Sequence, residues 1–388
     1  MTHPPRRAVW PITFASVAAV LFGLAFAQFG PYLMRSDLDH GLHVRFAQRL
    51  LSQHVLLPHF VYHVLVALAA GFSPETADLL LAARVVLSLL VLAKLAVALG
   101  FARGLQARAG ASLQPAQALV LAVAFFFVAP LPKWWRTENI YLGQLSPTVW
   151  HNPTAIAALP LAVVVFWLFV RMRAERPVDD LKLGALLALS IAVKPNFALA
   201  FLPAAALLRL VWRDRPFAKE ALGLACLAAP SLLVLAWQYR QALALGLEAR
   251  GEGMVTVQPF EVWGIYSPNP LASTLVSLVF PLAVVAFVGR APSHGRPLLA
   301  AWLLTAIATV QFALLAEPEP KLGDANYYWG VVPALFLLFL VSACELLTDA
   351  ARTPARRALR RICWGVLALH VASGVFLYVH PFQLAVIN

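Results

Sequence analysis

The chain has 388 residues, 61% of them hydrophobic and 12% charged, with a formal net charge of +12. Soluble domains carry about 25% charged residues, and the mean hydropathy here is +0.77. A soluble enzyme is thereby excluded and an all-α, polytopic transmembrane protein is indicated.

Three cysteines, Cys226, Cys344 and Cys363, lie in apolar segments without pairing or metal-ligand spacing and read as small core residues. No Gly/Ser linker, low-complexity run or internal repeat divides the sequence, so residues 1–388 read as one integral membrane domain. Apolar segments suited to spanning fall at 9–31, 77–100, 115–132, 153–170, 181–195, 197–212, 219–238, 270–289, 298–316, 330–349 and 362–380, about eleven spans. Those at 115–132, 181–195 and 197–212 are short for a bilayer core of about 30 Å. The first follows Arg6 and Arg7 and ends near a passable signal-peptidase site. It exceeds the roughly 7–15 residues of a signal-peptide core and reads as a span.

With the N-terminus in the cytoplasm, 19 of the 30 Lys and Arg residues fall in cytoplasmic ends and loops and eight in outer loops. This positive-inside bias accounts for the basic excess, so no nucleic-acid partner is implied. The outer loops hold most of the acids and His40, His43, His54, His59, His63 and His151. Long, chemically varied loops on a rigid scaffold carry function, so the outer face is the expected working surface.

The first outer loop covers 32–76. From Asp39 the sequence reads Asp39-His40-Gly41-Leu42-His43-Val44-Arg45-Phe46-Ala47-Gln48-Arg49-Leu50. Leu42, Phe46 and Leu50 recur at helical spacing, which predicts an amphipathic helix along the membrane with Asp39 at its start. A carboxylate there also serves as an ordinary helix cap. Asp37, Asp39, His40 and His43 are candidate ligands for a divalent metal ion, and two nearby histidines are equally ordinary hydrogen-bonding groups. Asp37-x-Asp39 mimics the DxD motif of nucleotide-sugar transferases, but the topology puts it on the face without nucleotide sugars. The run from Pro58 to Gly71 is too short to span and predicts an interfacial or re-entrant helix.

The second outer loop, 133–153, mixes Lys133, Trp134, Trp135, Arg136, Tyr141 and Trp150 with Gln144, Ser146, His151 and Asn152, and Thr154 follows. An interfacial aromatic belt explains the aromatics. The amides and hydroxyls between them suit a sugar, which needs apolar faces and many hydrogen bonds. Gln144, Trp150, His151 and Asn152 are therefore the candidate sugar or acceptor contacts. Lys194-Pro195-Asn196 interrupts the apolar stretch 183–208 at its outer turn. An intramembrane lysine marks either a functional site or a side chain reaching for the headgroups. Lys194, Arg84, Lys133 and Arg136 are the candidate cations for a lipid phosphate. The outer loops at 239–269 and 317–329 again combine acid, amide and aromatic residues, suited either to shaping the acceptor side or to anchoring the interface.

The order Asp39-His40-x-x-His43-x-x-x-Ala47, then Pro58-His59-Phe60-Val61-Tyr62-His63, then the span 77–100 resembles the first outer loop of the GT-C membrane glycosyltransferases. Protein O-mannosyltransferases and lipid A aminoarabinose transferases belong to that group. The resemblance is best over 9–110 and beyond that rests on the many-helix layout. It implies that Asp39 occupies the catalytic aspartate position. His40 stands where many relatives have a second acid, which Asp37 would replace. The implied activity is transfer of a sugar from a polyprenyl-phosphate donor to a glycan, lipid or protein hydroxyl, with inversion. It would occur at the outer face of a bacterial inner membrane and in contact with membrane lipids. A transporter or flippase of a lipid-linked or small polar solute is the competing class, and a non-catalytic lipid-binding subunit a third. Against transport, no inverted repeat with paired broken helices is visible.

Overall fold

The computed structural model describes residues 9–35, 38–131, 140–172, 176–212, 214–247, 254–289, 292–348 and 353–380. Each of the eleven apolar segments is helical. They form α1 (Val9–Leu33), α4 (Thr76–Arg108), α5 (Pro115–Phe127), α7 (Pro153–Arg171), α8 (Pro177–Val193), α9 (Asn196–Trp212), α10 (Phe217–Ala244), α12 (Pro270–Val288), α13 (Gly295–Leu314), α14 (Val331–Thr348) and α15 (Pro354–Val379). Eight of these are long and apolar enough to cross a membrane. The other three, α5, α8 and α9, have 13, 17 and 17 residues, at or below the short end of the roughly 17–25 residues of a membrane span. The expected eleven spans are thus eleven helices, of which eight meet the length for crossing.

Chain chemistry sets many boundaries. Proline opens α5, α7, α8, α12 and α15, where its missing N–H costs nothing. Asn152, Asn269 and Thr353 accept from the backbone N–H groups of Ala155, Ala272 and Arg356, capping α7, α12 and α15.

The first outer loop folds as α2 (Asp39–Gln53) and the nine-residue α3 (Val61–Ala69). The amphipathic expectation holds, with its stripe displaced. His40, Gly41, Val44 and Ala47 are buried, Leu42, Phe46 and Leu50 are half-buried beside them, and Arg45 and Arg49 are exposed. The second outer loop contributes the short α6 (Ile140–Gly143) and the third α11 (Glu261–Tyr266). Strands β1 (Thr256–Val257) and β2 (Leu315–Ala316) pair antiparallel, tying the third outer loop to the start of the fourth.

The core centres on α14, buried at every residue from Val331 to Leu346 and packed against α4, α7, α9, α12 and α13. Small residues bring other helices close. A Cβ at Gly184 of α8 would collide with the Leu227 carbonyl of α10, and one at Gly374 of α15 with the Phe127 carbonyl at the end of α5. Cys344 and Cys363 are buried and Cys226 is half-buried; all three are free thiols.

Candidate active site

The sequence places Asp39 at the start of a helix, but the carboxylate does not cap it. Leu38 holds the cap position and no side chain caps that end. Instead Asp39 Oδ2 accepts from Asn152 Nδ2 at 2.9 Å. The Asn152 amide is oriented by α7, because its Oδ1 accepts from Ala155 N at 2.9 Å and from Thr154 Oγ1 at 3.1 Å. With its oxygen taken by the helix, only its N–H₂ can face Asp39. Thr154 Oγ1 in turn accepts from Lys194 Nζ at 3.2 Å. A directed hydrogen-bond chain therefore runs from Lys194 through Thr154 and Asn152 to Asp39.

Lys194 reaches this position through its backbone. The residue before a proline is pushed into extended geometry, and Lys194 has φ −164° and ψ 126°, ending α8. Its ammonium also lies 5.4 Å from the centre of the Trp329 ring. Burial pushes the Asp39 carboxyl above its ordinary value. The positive charge of Lys194 opposes this, Asp324 adds to it, and the Asn152 hydrogen bond and Lys321 oppose it.

Histidines flank the carboxylate on α2 and α3. His43 Nδ1 and His63 Nε2 are 2.8 Å apart, one donating and the other accepting. Gln238 of α10 bonds His59 Nδ1 at 3.2 Å and the carbonyls of Pro58 and Ile191 at 2.9 Å. Burial lowers the pKa of His63 to about 4 and of His59 to about 3, the latter also repelled by Lys194. His43 is held well below its usual value by burial and then by His63 and Lys194. These rings are neutral at pH 7.

Of the candidate metal ligands Asp39, His40 and His43 are described, and these three form no common site. His40 is buried and stacks on Tyr32 with ring centres 5.2 Å apart, and neither ring nitrogen makes a hydrogen bond. Three residues further along α2, His43 bonds His63. Asp37 lies outside the described residues. Among the described residues no group of three or more His, Cys, Asp or Glu side chains is arranged to hold a metal ion.

The second outer loop divides. Asn152 meets Asp39, and His151 sits between Tyr141 at 5.1 Å and Trp329 at 5.4 Å with Nδ1 unpartnered. Trp150 packs between helices. It is buried against Phe29 at 5.6 Å, Phe126 at 5.2 Å and Tyr378 at 6.0 Å, because an indole at this point fills the gap between α1, α5 and α15. Gln144 is also buried, its Oε1 without a partner. Lys133 and Arg136 lie outside the described residues.

Arg84 is committed elsewhere. Its Nε bonds the Phe26 carbonyl of α1 and its guanidinium lies 3.8 Å from the centre of the Phe26 ring. Gly30 makes room, since a Cβ there would lie 3.0 Å from Nη2. An arginine in an apolar stretch has satisfied itself on a backbone carbonyl and an aromatic face, and none of these contacts reaches Asp39.

The fourth outer loop, left in the sequence between shaping the acceptor side and anchoring the interface, arrives here. A 3₁₀ turn, Asn326–Gly330, brings Trp329 against both Lys194 and His151. Asn196 Nδ2 anchors it through the Asn326 carbonyl at 2.6 Å. The Lys321–Asp324 pair, 3.0 Å apart, stands close enough to influence Asp39.

No family model matches the sequence, and no curated protein does. The solved structure of ArnT from Cupriavidus metallidurans bound to undecaprenyl phosphate is similar, with a TM-score of 0.53 and 17% identity over 97% of this chain and 76% of that one. By this likeness the chain has a GT-C-like membrane-protein fold.

Proposed function

We propose that this protein is a membrane glycosyltransferase that moves a sugar from a polyprenyl-phosphate donor to an acceptor hydroxyl. The observation that carries the reading is the Asp39–Asn152–Thr154–Lys194 chain, which sets a carboxylate and a cation at one site. The undecaprenyl phosphate bound to ArnT supports a lipid phosphate as the donor's leaving group. The loop charges support a site on the outer face of a bacterial inner membrane, with the N-terminus in the cytoplasm.

In this mechanism Asp39 takes the proton of the acceptor hydroxyl. The freed oxygen attacks the anomeric carbon from the side opposite the phosphate. A carbon–oxygen bond forms, the bond to the phosphate oxygen breaks, and the polyprenyl phosphate leaves with the electron pair. The anomeric configuration inverts. Phosphate is a good leaving group, so it needs neutralising charge rather than a proton. Lys194 supplies that charge, and Lys133 and Arg136 are the further candidates. Asn152 orients the carboxylate, while Trp329 and His151 offer an aromatic face and an unpartnered ring nitrogen for the sugar.

The test is a transfer assay in nanodiscs with a panel of radiolabelled polyprenyl-phosphate sugars, comparing wild type with Asp39→Asn. Loss of a general base predicts a fall of about 10²–10⁴-fold in turnover with folding intact. Transfer at the wild-type rate in the variant would remove Asp39 from the mechanism.

A further inference from the structure

A cavity of about 990 Å³ lies at the far end of the bundle from Asp39. Both α4 and α7 run from the Asp39 end to this one. Their last residues, Arg108 and Arg171, line the cavity with Arg209 at the end of α9, Arg215 just before α10 and Arg296 at the start of α13. Five guanidinium groups thus surround one space.

Three carboxylates offset them. Arg209 and Arg215 share Asp180 and Glu220 in a compact network, with Arg215 Nη2 2.9 Å from Glu220 and 3.2 Å from Asp180. Gly223 of α10 leaves it room, because a Cβ there would lie 2.6 Å from Arg215 Nη2 and 2.8 Å from Arg209 Nη1. Arg296 grips Asp214 with two bonds of 2.7 and 2.8 Å. Arg108 donates to the carbonyls of Val170 and Arg171 at the end of α7. Helix C-termini favour cations, which accounts for Arg108, Arg171 and Arg209 but not for Arg215 and Arg296, which stand at helix starts. Nor does the dipole account for two buried donors that make no hydrogen bond. Arg209, only 8% exposed, has an Nη1 that makes no hydrogen bond, Glu220 Oε2 standing 3.5 Å from it. The indole N–H of Trp212 is likewise buried and unpartnered.

We propose that this cavity binds a phosphate group, carried either by a lipid headgroup of the leaflet on that side or by a soluble phosphate compound. A phosphate supplies several acceptor oxygens and two negative charges to a site with surplus donors and a surplus of positive charge. Guanidinium forks match phosphate geometry, and the volume lies in the range of small-molecule pockets. The site is independent of Asp39 and of the transfer reaction.

The test uses the full chain in a non-ionic detergent, titrated separately with inorganic pyrophosphate and with dioleoylphosphatidic acid. At least one is expected to bind saturably and to protect Arg171 and Arg296 from phenylglyoxal, read by mass spectrometry. The double variant Arg171→Gln/Arg296→Gln should weaken that binding at least ten-fold. Neither residue belongs to the buried Arg209–Asp180 network, so the variant keeps it. Protection by pyrophosphate assigns a soluble ligand, and protection by phosphatidic acid alone assigns a lipid headgroup. Should the variant not fold, the protection pattern in wild type decides. The proposal is overturned if neither probe binds, or if binding leaves both arginines reactive.

Discussion

Asp39 gains its properties from surroundings that its own sequence context does not contain. Burial makes its carboxyl a stronger base than an exposed aspartate, while Lys194 and Asn152 keep it from rising further. As a general base it must be ionised, so turnover falls as pH drops through its pKa. Because that pKa is raised, the acid limb of the kcat profile is expected above the ordinary carboxylate range. Lys194→Gln removes the largest opposing charge and should shift that limb to still higher pH, beyond any loss in kcat. A limb that stays put would separate Lys194 from Asp39. Asn152→Ser tests the positioning role cleanly. Serine caps helices about as well as asparagine, so α7 and thermal stability should change by less than about 1 kcal/mol. The bond to Asp39 is lost, however, and the acid limb should again move upward with lower kcat. At this scale the sequence singled out Asp39 and Lys194 because topology isolates them, and hydrogen bonds through Asn152 and Thr154 link the two. It left Trp150 and Arg84 open, because they look alike in sequence whether they serve a ligand or the packing of α1, α4, α5 and α15.

The elements divide in the same way. The apolar segments begin at Pro115, Pro153 and Pro270, where α5, α7 and α12 open, and α2 begins at the residue its periodicity indicated. What periodicity did not resolve is which half of a mixed stripe turns inward. His40 is buried on α2 because Tyr32 and Phe29 of α1 receive it, a tertiary fact. Trp150 carries a prediction at this level. Trp150→Ala opens a cavity among three helices and should cost about 3–5 kcal/mol in thermal or denaturant unfolding. Trp150→Phe keeps an aromatic there and should leave the KM for a donor unchanged. A KM effect without loss of stability would return Trp150 to the sugar site. The fourth outer loop stayed ambiguous in the sequence for a different reason. Its turn at Asn326–Gly330 is placed by packing on α9, α13 and α14 and by a hydrogen bond from Asn196, 130 residues away along the chain.

For the whole molecule, hydropathy and charge bias carried the reading to a many-helix membrane protein, and the backbone arrangement supplied the GT-C fold. Hydropathy does not report which helices touch lipid. The span ending in α14 is as apolar as its neighbours, with a mean hydropathy of 2.3, yet 94% of that window is buried, against 22% for those of α1 and α10. A lipid-phase carbene label should therefore modify α1 and α10 and spare α14, read by peptide mass spectrometry. Heavy labelling of α14 would mean that the bundle is open in the bilayer.

That enclosure also bears on biosynthesis. In the finished protein α14 has no lipid neighbours, but the membrane must accept it before α15 and the rest of the bundle can close around it. Its hydropathy answers to insertion, and its shape to the partners that later surround it. Replacing one of its buried residues by another of equal hydropathy but different volume would leave membrane integration untouched and stall the chain at assembly. The defect would then appear as a correctly inserted, protease-sensitive protein rather than as a missing one.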